Sequence, residues 1–303
     1  MSKYLDKIEK LARASKVARL IHNPIKYIYG IGHRTLIYPF TKKGILKWAN
    51  TFFGKRMRVL LPSGMDIYLL GGKSHDSEIR LARFVLKNLK SGNTFLDIGA
   101  HFGYFSLLAS SITGETGKVF CVEASKMTYE VLSQNVGKER NIKSFNNAIS
   151  NQKGVLDFYE YPLQYSEYNS LDADQYQNAR WAKKVKAVIN KIEAHTLDGF
   201  VSMHQIKPNF IKIDVEGVED KVVSGMNNII SNSENLIIAM EYIVSVSGTS
   251  SHQTAVEVLA EGGFMPNKIE ADGSISPIAP DQISDYMQKK GLDSDNIIFR
   301  KRN

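Results

Sequence analysis

A buried strand that runs straight into a glycine turn and then a helix constrains this chain more than any other feature. It is spelled by TFLDIGAHFGYFSLL, Thr94 to Leu108. The apolar run ends at Asp97, Gly99 and Gly103 mark the turn, and Phe105, Leu108 and Ile112 fall on one side of the following helix. Such a strand–turn–helix brings bare backbone N–H groups and a helix N-terminus up to a ligand, the arrangement of a nucleotide-type site.

The glycine spacing selects among nucleotides. A dinucleotide pyrophosphate is seated by G-x-G-x-x-G, whereas here Asp97 stands at the first glycine position and the remaining glycines are four apart. A carboxylate there repels a pyrophosphate, which disfavours a nicotinamide oxidoreductase, and suits a ligand with an ammonium group such as S-adenosylmethionine. Twenty residues beyond Gly103, KVFCVEAS reads as a second apolar strand ending in Glu123, from which a carboxylate takes both ribose hydroxyls.

From residue 76 strands and helices alternate. Helices are expected near 76–89, 104–112, 126–137, 197–204, 217–230 and 252–261. Strands are expected near 94–97, 118–123, 143–149, 154–160, 185–192, 209–214, 236–242, 264–269 and 296–301. The alternation predicts an α/β domain over 76–303, with a mostly parallel sheet, helices on both faces and functional residues at the carboxyl ends of the strands. A polar stretch at 161–184 interrupts it; Tyr165, Tyr168, Asn169 and Ser170 are candidates to shape a substrate mouth there, with a merely solvated loop as the alternative.

Charge separates the N-terminal segment, residues 1–75, from this pattern. Residues 1–60 hold 14 Lys and Arg against two acids, within a chain whose net charge is +8. Leu5, Ile8, Leu11 or Ala12, Ala18 and Leu20 fall near a helical period among the cations, predicting a basic amphipathic helix that stops at Asn23–Pro24. Its apolar stripe either packs on the chain's own domain or, through residues 1–24, touches an anionic membrane surface or an acidic partner. A lone Cys121 in a predicted strand excludes a disulfide framework and a thiolate metal site, and the expected compartment is a reducing cytoplasm, with attachment to the inner face of a membrane open.

A second informative run is NFIKIDVEGVEDKVVSGM, residues 209–226. An apolar strand delivers Asp214, then Glu216, Gly217 and Glu219, to one strand exit. Glu219 falls in the first turn of the next helix, where the helix dipole favours acids without any catalytic role.

With these motifs in order the chain resembles the FkbM family of S-adenosylmethionine-dependent methyltransferases over about residues 76–300. The resemblance rests on FLDIGAHFGYFSL, VFCVEAS, NNAIS at 146–150, HTLDGF at 195–200, FIKIDVEG at 210–217 and the strand LIIAMEY with Glu241. His101 departs from the family, which more often has Asn there. The resemblance implies a Rossmann-like methyltransferase fold: a seven-stranded sheet with a reversed last strand and the cofactor across the strand ends. It also implies that Asp97, Gly99, Ala100 and Gly103 line the methionine end, Glu123 the ribose, Asn147 and Ala148 the adenine, and that Asp214 sits beside the methionine moiety or the acceptor. The implied reaction is O-methylation of a hydroxyl on a secondary metabolite, or on a sugar of a surface glycan or lipid-linked saccharide.

An aliphatic hydroxyl needs a base before it attacks a methyl group. The candidates are Asp214, Glu216, Glu241 and His101, with His75 and His195 weaker. Asp214, Glu216 and Glu241 would also suit Mg²⁺, but they have adequate roles as base and cofactor ligands without it, and no metal ligand is assigned. Nucleic acid is not an expected partner: after the fourth strand stands Asp-Val-Glu-Gly rather than an Asp/Asn-Pro-Pro-aromatic turn, and acids surround the site. A non-catalytic scaffold with this fold, in a membrane-proximal assembly, is the reading from another class; intact glycines and Glu123 argue against it.

Overall fold

Ser2 to Leu61 fold as helices and a hairpin laid on the rest of the chain. The computed structural model describes residues 1–172, 181, 185–244 and 251–301. It begins with α1 (Ser2–Arg13), α2 (Lys16–His22) and α3 (Pro24–Gly32), followed by a π-turn at His33–Ile37 and α4 (Tyr38–Thr41). The expected single helix is therefore broken at Ala14–Ser15, where the Ser15 hydroxyl accepts from Ala18 N–H and starts a new N-terminus. The antiparallel hairpin β1 (Ile45–Asn50) and β2 (Arg56–Leu61), then α5 (Met65–Leu70), were not foreseen as regular elements.

The α/β unit follows: α6 (Asp76–Asn88), β3 (Thr94–Ile98), α7 (Tyr104–Thr113), β4 (Lys118–Val122), α8 (Lys126–Val136), β5 (Ile142–Phe145), β6 (Ala148–Ser150), β7 (Gly154–Glu160) and β8 (Val188–Thr196). It continues through α9 (Leu197–Met203), β9 (Phe210–Ile213), α10 (Glu219–Ser224), α11 (Asn227–Asn232), β10 (Ile237–Ile243), α12 (Ser251–Glu261), β11 (Phe264–Ile269), β12 (Ile275–Pro277), α13 (Ile283–Lys290) and β13 (Ser294–Lys301). The main sheet has the order β12-β11-β13-β10-β9-β3-β4-β5. β5, β4, β3, β9 and β10 are parallel, and β13, the last strand, runs against both neighbours. This is the Rossmann-like methyltransferase arrangement, with the short β12 added at one edge to make eight strands. β6, β8 and β7 form a separate small sheet.

Two expected elements are divided. The strand anticipated over 143–149 splits at Asn146–Asn147, because Asn146 turns its amide onto the carbonyls of Glu123 and Ala124 and sends the chain into the second sheet. The helix anticipated over 217–230 breaks at Gly225, where a Cβ would lie 2.4 Å from the Ser150 carbonyl oxygen; Asp198 then caps α11 by accepting from Asn228 and Ile229 N–H. Within 161–184, Leu163–Tyr168 form a 3₁₀ turn and Ser170 bridges to Tyr159, while 173–180 and 182–184 lie outside the described residues.

Apart from Asp97, Lys212 and Glu241, the central strands β3, β9 and β10 are apolar, because helices cover both faces. On one face α6, α7 and α8 pack with Phe95, Cys121 and Phe210; on the other α9 to α13 pack with Leu96, Val122 and Ile211. Leu5 and Ile8 of α1 belong to the first of these cores, with Met57 and Val59 of β2, so residues 1–75 and the α/β unit share it. Arg83 of α6 fixes the docking by pairing with Asp6 and Glu9 at 2.6 and 2.5 Å. Truncating Ile8→Ala should cost about 2–5 kcal/mol of unfolding free energy, the usual loss for a buried aliphatic side chain. Urea unfolding reads this directly; an unchanged midpoint would mean that α1 is not part of the core.

Candidate active site

The parallel strands deliver their carboxyl ends to a cleft of about 400 Å³. At its floor β3, β9 and β10 lie side by side, and their register sets Lys212 beside Asp97 on one neighbour and beside Ala239 on the other. The turns that leave β3 and β9 nearly touch: a Cβ on Gly99, whose φ is +78°, would come within 1.7 Å of the Asp214 carbonyl oxygen. Only glycine fits there.

The turn after β3 differs from expectation in one respect. Gly99 and Ala100 N–H both donate to the Val122 carbonyl, His101 N–H donates to Glu123 Oε2 at 2.8 Å, and Gly103 N–H donates to Ala100. These four donors are thus satisfied inside the protein, which shifts recognition toward side chains. His101 and Glu216 hold left-handed backbone conformations at φ 49° and 57°, at a cost of about 1–3 kcal/mol each. His is among the residues that tolerate this region best.

Lys212 organises the charges. Its ammonium lies 2.8 Å from Asp214 Oδ2 and 3.8 Å from Asp97 Oδ1. Burial opposes the charge on Lys212, but the two carboxylates outweigh it and hold its pKa above the usual value. Burial would raise Asp214 as well, yet Lys212 and Lys73 bring it below the ordinary range. Burial does raise Asp97, against the more distant Lys212 and a 2.6 Å hydrogen bond from Ser106. Glu241 is raised well above a normal carboxyl, first by burial and then by the charges of Asp214 and Glu216. Asp214, Glu216 and Glu241 each turn an oxygen to within 4.8 Å of the others. The neighbouring strands β9 and β10 therefore bring an ionised carboxylate beside a carboxyl of high proton affinity.

At the other end of the cleft Glu123 receives one backbone N–H on each oxygen, from His101 and from Ser125 at 2.9 Å. Burial pushes it up to about 7. Asn147 and Ala148 line the wall beyond it. His101 faces the cleft, its Nε2 3.5 Å from Ser63 Oγ and its ring on Phe102; burial, with Lys73 nearby, pushes it down to about 3, so the imidazole is neutral.

The outer wall comes from segments outside the recognised motifs. Lys73, between α5 and α6, pairs with Glu78 at 2.8 Å; burial opposes its charge, but Glu78, Asp66 and Glu167 hold the ammonium. Ser166, Glu167, Tyr168 and Asn169 complete this side. Tyr168 and Tyr165 stack on Trp181 with centroids 4.8 and 4.6 Å away.

The cleft thus gathers Gly99, His101, Glu123, Asn147, Ala148, Tyr168, Asn169, Asp214, Glu216 and Glu241. Four expected site residues stand behind its wall. Asp97 is buried under Lys212 and Ser106, with Oδ1 making no hydrogen bond. Ala100 is spent in the turn, and Gly103 provides clearance, since a Cβ would meet Leu132 at 2.6 Å. Ser170 is fully buried and donates to the Glu216 carbonyl at 2.7 Å, so it fastens the 161–172 segment to the β9 turn rather than facing a substrate. Glu219 likewise braces that turn, accepting from Val215 and Gly217 N–H, with His252 Nε2 2.7 Å away. Sequence reasoning missed Lys212, whose signal was a cation inside the apolar strand FIKI, and Lys73, which carried none.

A family model described as Methyltransferase FkbM domain matches residues 97–266, more than half of the chain. Among solved structures, the chain is similar to precorrin-6y C5,15-methyltransferase from Geobacter metallireducens GS-15 at 13% identity, over 74% of this chain and 88% of that one, with a TM-score of 0.41. It is similar also to Aeropyrum pernix fibrillarin with natively bound S-adenosyl-L-methionine, at 15% identity over 73% of each chain, with a TM-score of 0.39. Superpositions this loose carry no argument about chemistry. A comparison with curated proteins finds no match.

Replacing Lys212 by Met leaves Asp97 and Asp214 without their cation, and losing one partner of a buried pair costs about 3–5 kcal/mol. The deficit should be deepest near neutral pH and shrink as acid protonates the stranded carboxylates, whose folded pKa values then lie above the unfolded ones. Denaturation across a pH series measures it; a deficit independent of pH would contradict the assignment.

Proposed function

The chain belongs to the FkbM methyltransferase family, and on that premise we propose that this S-adenosylmethionine-dependent methyltransferase methylates a hydroxyl oxygen. The acceptor is a sugar of a glycan or lipid-linked saccharide, or a small metabolite. The observation that carries the reading is the pairing of ionised Asp214 with the high-affinity carboxyl of Glu241 at the floor of the cleft.

The donor set suits the cofactor. Each Glu123 oxygen spends one lone pair on a backbone N–H and keeps another for a ribose hydroxyl. Asn147 and Ala148 extend the wall toward the adenine, and the missing side chain at Gly99 leaves room beside Asp214. When bound, S-adenosylmethionine supplies an electrophilic methyl group on a positively charged sulfur.

In this reading Glu241, once ionised, takes the proton of the acceptor hydroxyl as that oxygen attacks, and the proton ends on its carboxylate. Such base catalysis contributes about 10²–10⁴-fold. Holding the reacting atoms in line contributes up to about 7–11 kcal/mol. Asp214 stays ionised against Lys212 and raises the proton affinity of Glu241. His101 binds a proton too weakly to compete and acts as a neutral hydrogen-bonding wall. The three carboxylates have the donor chemistry of a Mg²⁺ site, but Lys212 already stands 2.8 Å from Asp214 as the local positive charge, and the reading assigns no metal. Tyr168, the one ring of the stack that lines the cleft, suits the C–H face of a sugar ring, while Glu78, Glu167 and Glu216 oppose a polyanion such as nucleic acid.

Two measurements test this. By calorimetry Glu123→Ala should weaken S-adenosylhomocysteine binding at least about tenfold, the loss expected for charge-assisted hydrogen bonds; unchanged binding would remove the ribose role. In assays over a panel of glycosides, kcat should rise with pH as Glu241 ionises, at a midpoint above the ordinary carboxylate range. Glu241→Gln should lower kcat by about 10²–10⁴-fold and abolish that rise while S-adenosylhomocysteine still binds. A variant that keeps the rise would assign the base elsewhere.

A further inference from the structure

Of the seventeen large apolar side chains that stand exposed among the described residues, twelve lie in residues 1–48. Only Met1 and Tyr4 of these belong to α1 and its cap; the helix's Leu5 and Ile8 are packed inside. From Pro24 to Thr41 the chain is one continuous helical run, α3, the π-turn and α4. Ile25, Ile28, Leu36 and Phe40 recur along one side of it at helical spacing, Ile25 being 82% and Phe40 85% exposed. Val17 and Ile21, one turn apart on the neighbouring α2, extend the apolar surface. The opposite side is anchored: Gly30, His33 and Tyr38 are buried, and the Tyr38 hydroxyl accepts from Gln164 N–H at 3.2 Å.

The charge around this surface has one sign. No Asp or Glu occurs between Glu9 and Asp66, a stretch that holds twelve Lys and Arg. Lys16, Arg34, Lys42 and Lys43 are exposed on the same helices or at their ends. An apolar stripe flanked only by cations is complementary to anionic headgroups over acyl chains. It is a poor match for a second copy of itself, which would set cations against cations. Among the described residues no helix is long and apolar enough to cross a membrane, so the surface suits a helix lying in the interface plane.

We propose that residues 16–43 seat this protein on an anionic membrane surface, with Ile25, Ile28, Leu36 and Phe40 entering the headgroup layer and the flanking cations contacting the headgroups. The seat adjoins the cleft. The 3₁₀ turn that contributes Ser166, Glu167 and Tyr168 to the cleft wall rests on Tyr38 through Gln164, and on Ser63 through a 3.0 Å bond from Ser166. A seated protein therefore holds this wall next to the lipid surface, as a lipid-linked acceptor requires. The seat itself does not depend on which hydroxyl is methylated.

Sedimentation of the full chain with phosphatidylcholine vesicles, with and without phosphatidylglycerol, tests the proposal. The protein should pellet with the anionic vesicles, less so as salt is raised, and not with phosphatidylcholine alone. The exposed double variant Ile25→Ser, Phe40→Ser should bind them at least about tenfold more weakly, while Val155→Ser with Val188→Ser, also solvent-facing but elsewhere, should bind like the parent. Calorimetry with S-adenosylhomocysteine should give the same affinity in all three proteins, which separates loss of the seat from loss of the site. Failure to pellet, or pelleting that ignores Ile25 and Phe40, would overturn the proposal. So would sedimentation equilibrium showing that these side chains instead hold a dimer that ignores vesicles.

Discussion

One buried lysine decides what the strand ends can do. Lys212 sits in the middle of a parallel sheet, where an isolated ammonium would be prohibitively costly. Asp97 on the adjoining strand and Asp214 at the end of its own strand make it tolerable. The consequence reaches beyond stability. Because Lys212 keeps Asp214 ionised, the next carboxyl, Glu241, meets a fixed negative charge in a desolvated place and holds its proton more tightly. Two carboxyl groups of similar intrinsic acidity are thereby driven apart, the usual way in which a protein makes one of them a proton acceptor suited to near-neutral conditions.

The turn after β3 makes the complementary point about the cofactor. In phosphate-binding relatives of this architecture a glycine turn offers free N–H groups to an anion. Here those N–H groups are consumed by the Val122 carbonyl and by Glu123, so the same backbone shape becomes a rigid shelf that aims a carboxylate instead. Glu123 is both the recipient of the turn's hydrogen bond and the group directed at the ribose. A hydroxyl-bearing, positively charged ligand is favoured over a pyrophosphate by the same few atoms.

Much of this was legible in the sequence because it depends on local pattern. The apolar runs ending at Asp97, Glu123, Asp214 and Glu241 mark strands buried on both faces, and their ends converge wherever a parallel sheet forms. What escaped depends on register or on tertiary packing. Nothing local says that Lys212 lies beside Asp97, so Asp97 read as a ligand when it is a buried counter-ion. Lys73 reaches the cleft, and Ser63 reaches His101 and Ser166 in its wall, only because α1, the hairpin and α5 dock on the same core as the sheet. The breaks at Asn146–Asn147 and at Gly225 did carry a written signal, a pair of turn-forming residues and a helix-interior glycine, which the longer apolar periodicity masked.

A crystal structure of the protein with S-adenosylhomocysteine tests the central claim most directly. Both ribose hydroxyls should lie on the Glu123 carboxylate and the sulfur should face the Asp214–Glu241 pair, with the side open to an acceptor bounded by Tyr168. A ligand that leaves Glu123 unengaged, or turns its sulfur away from Glu241, would contradict it.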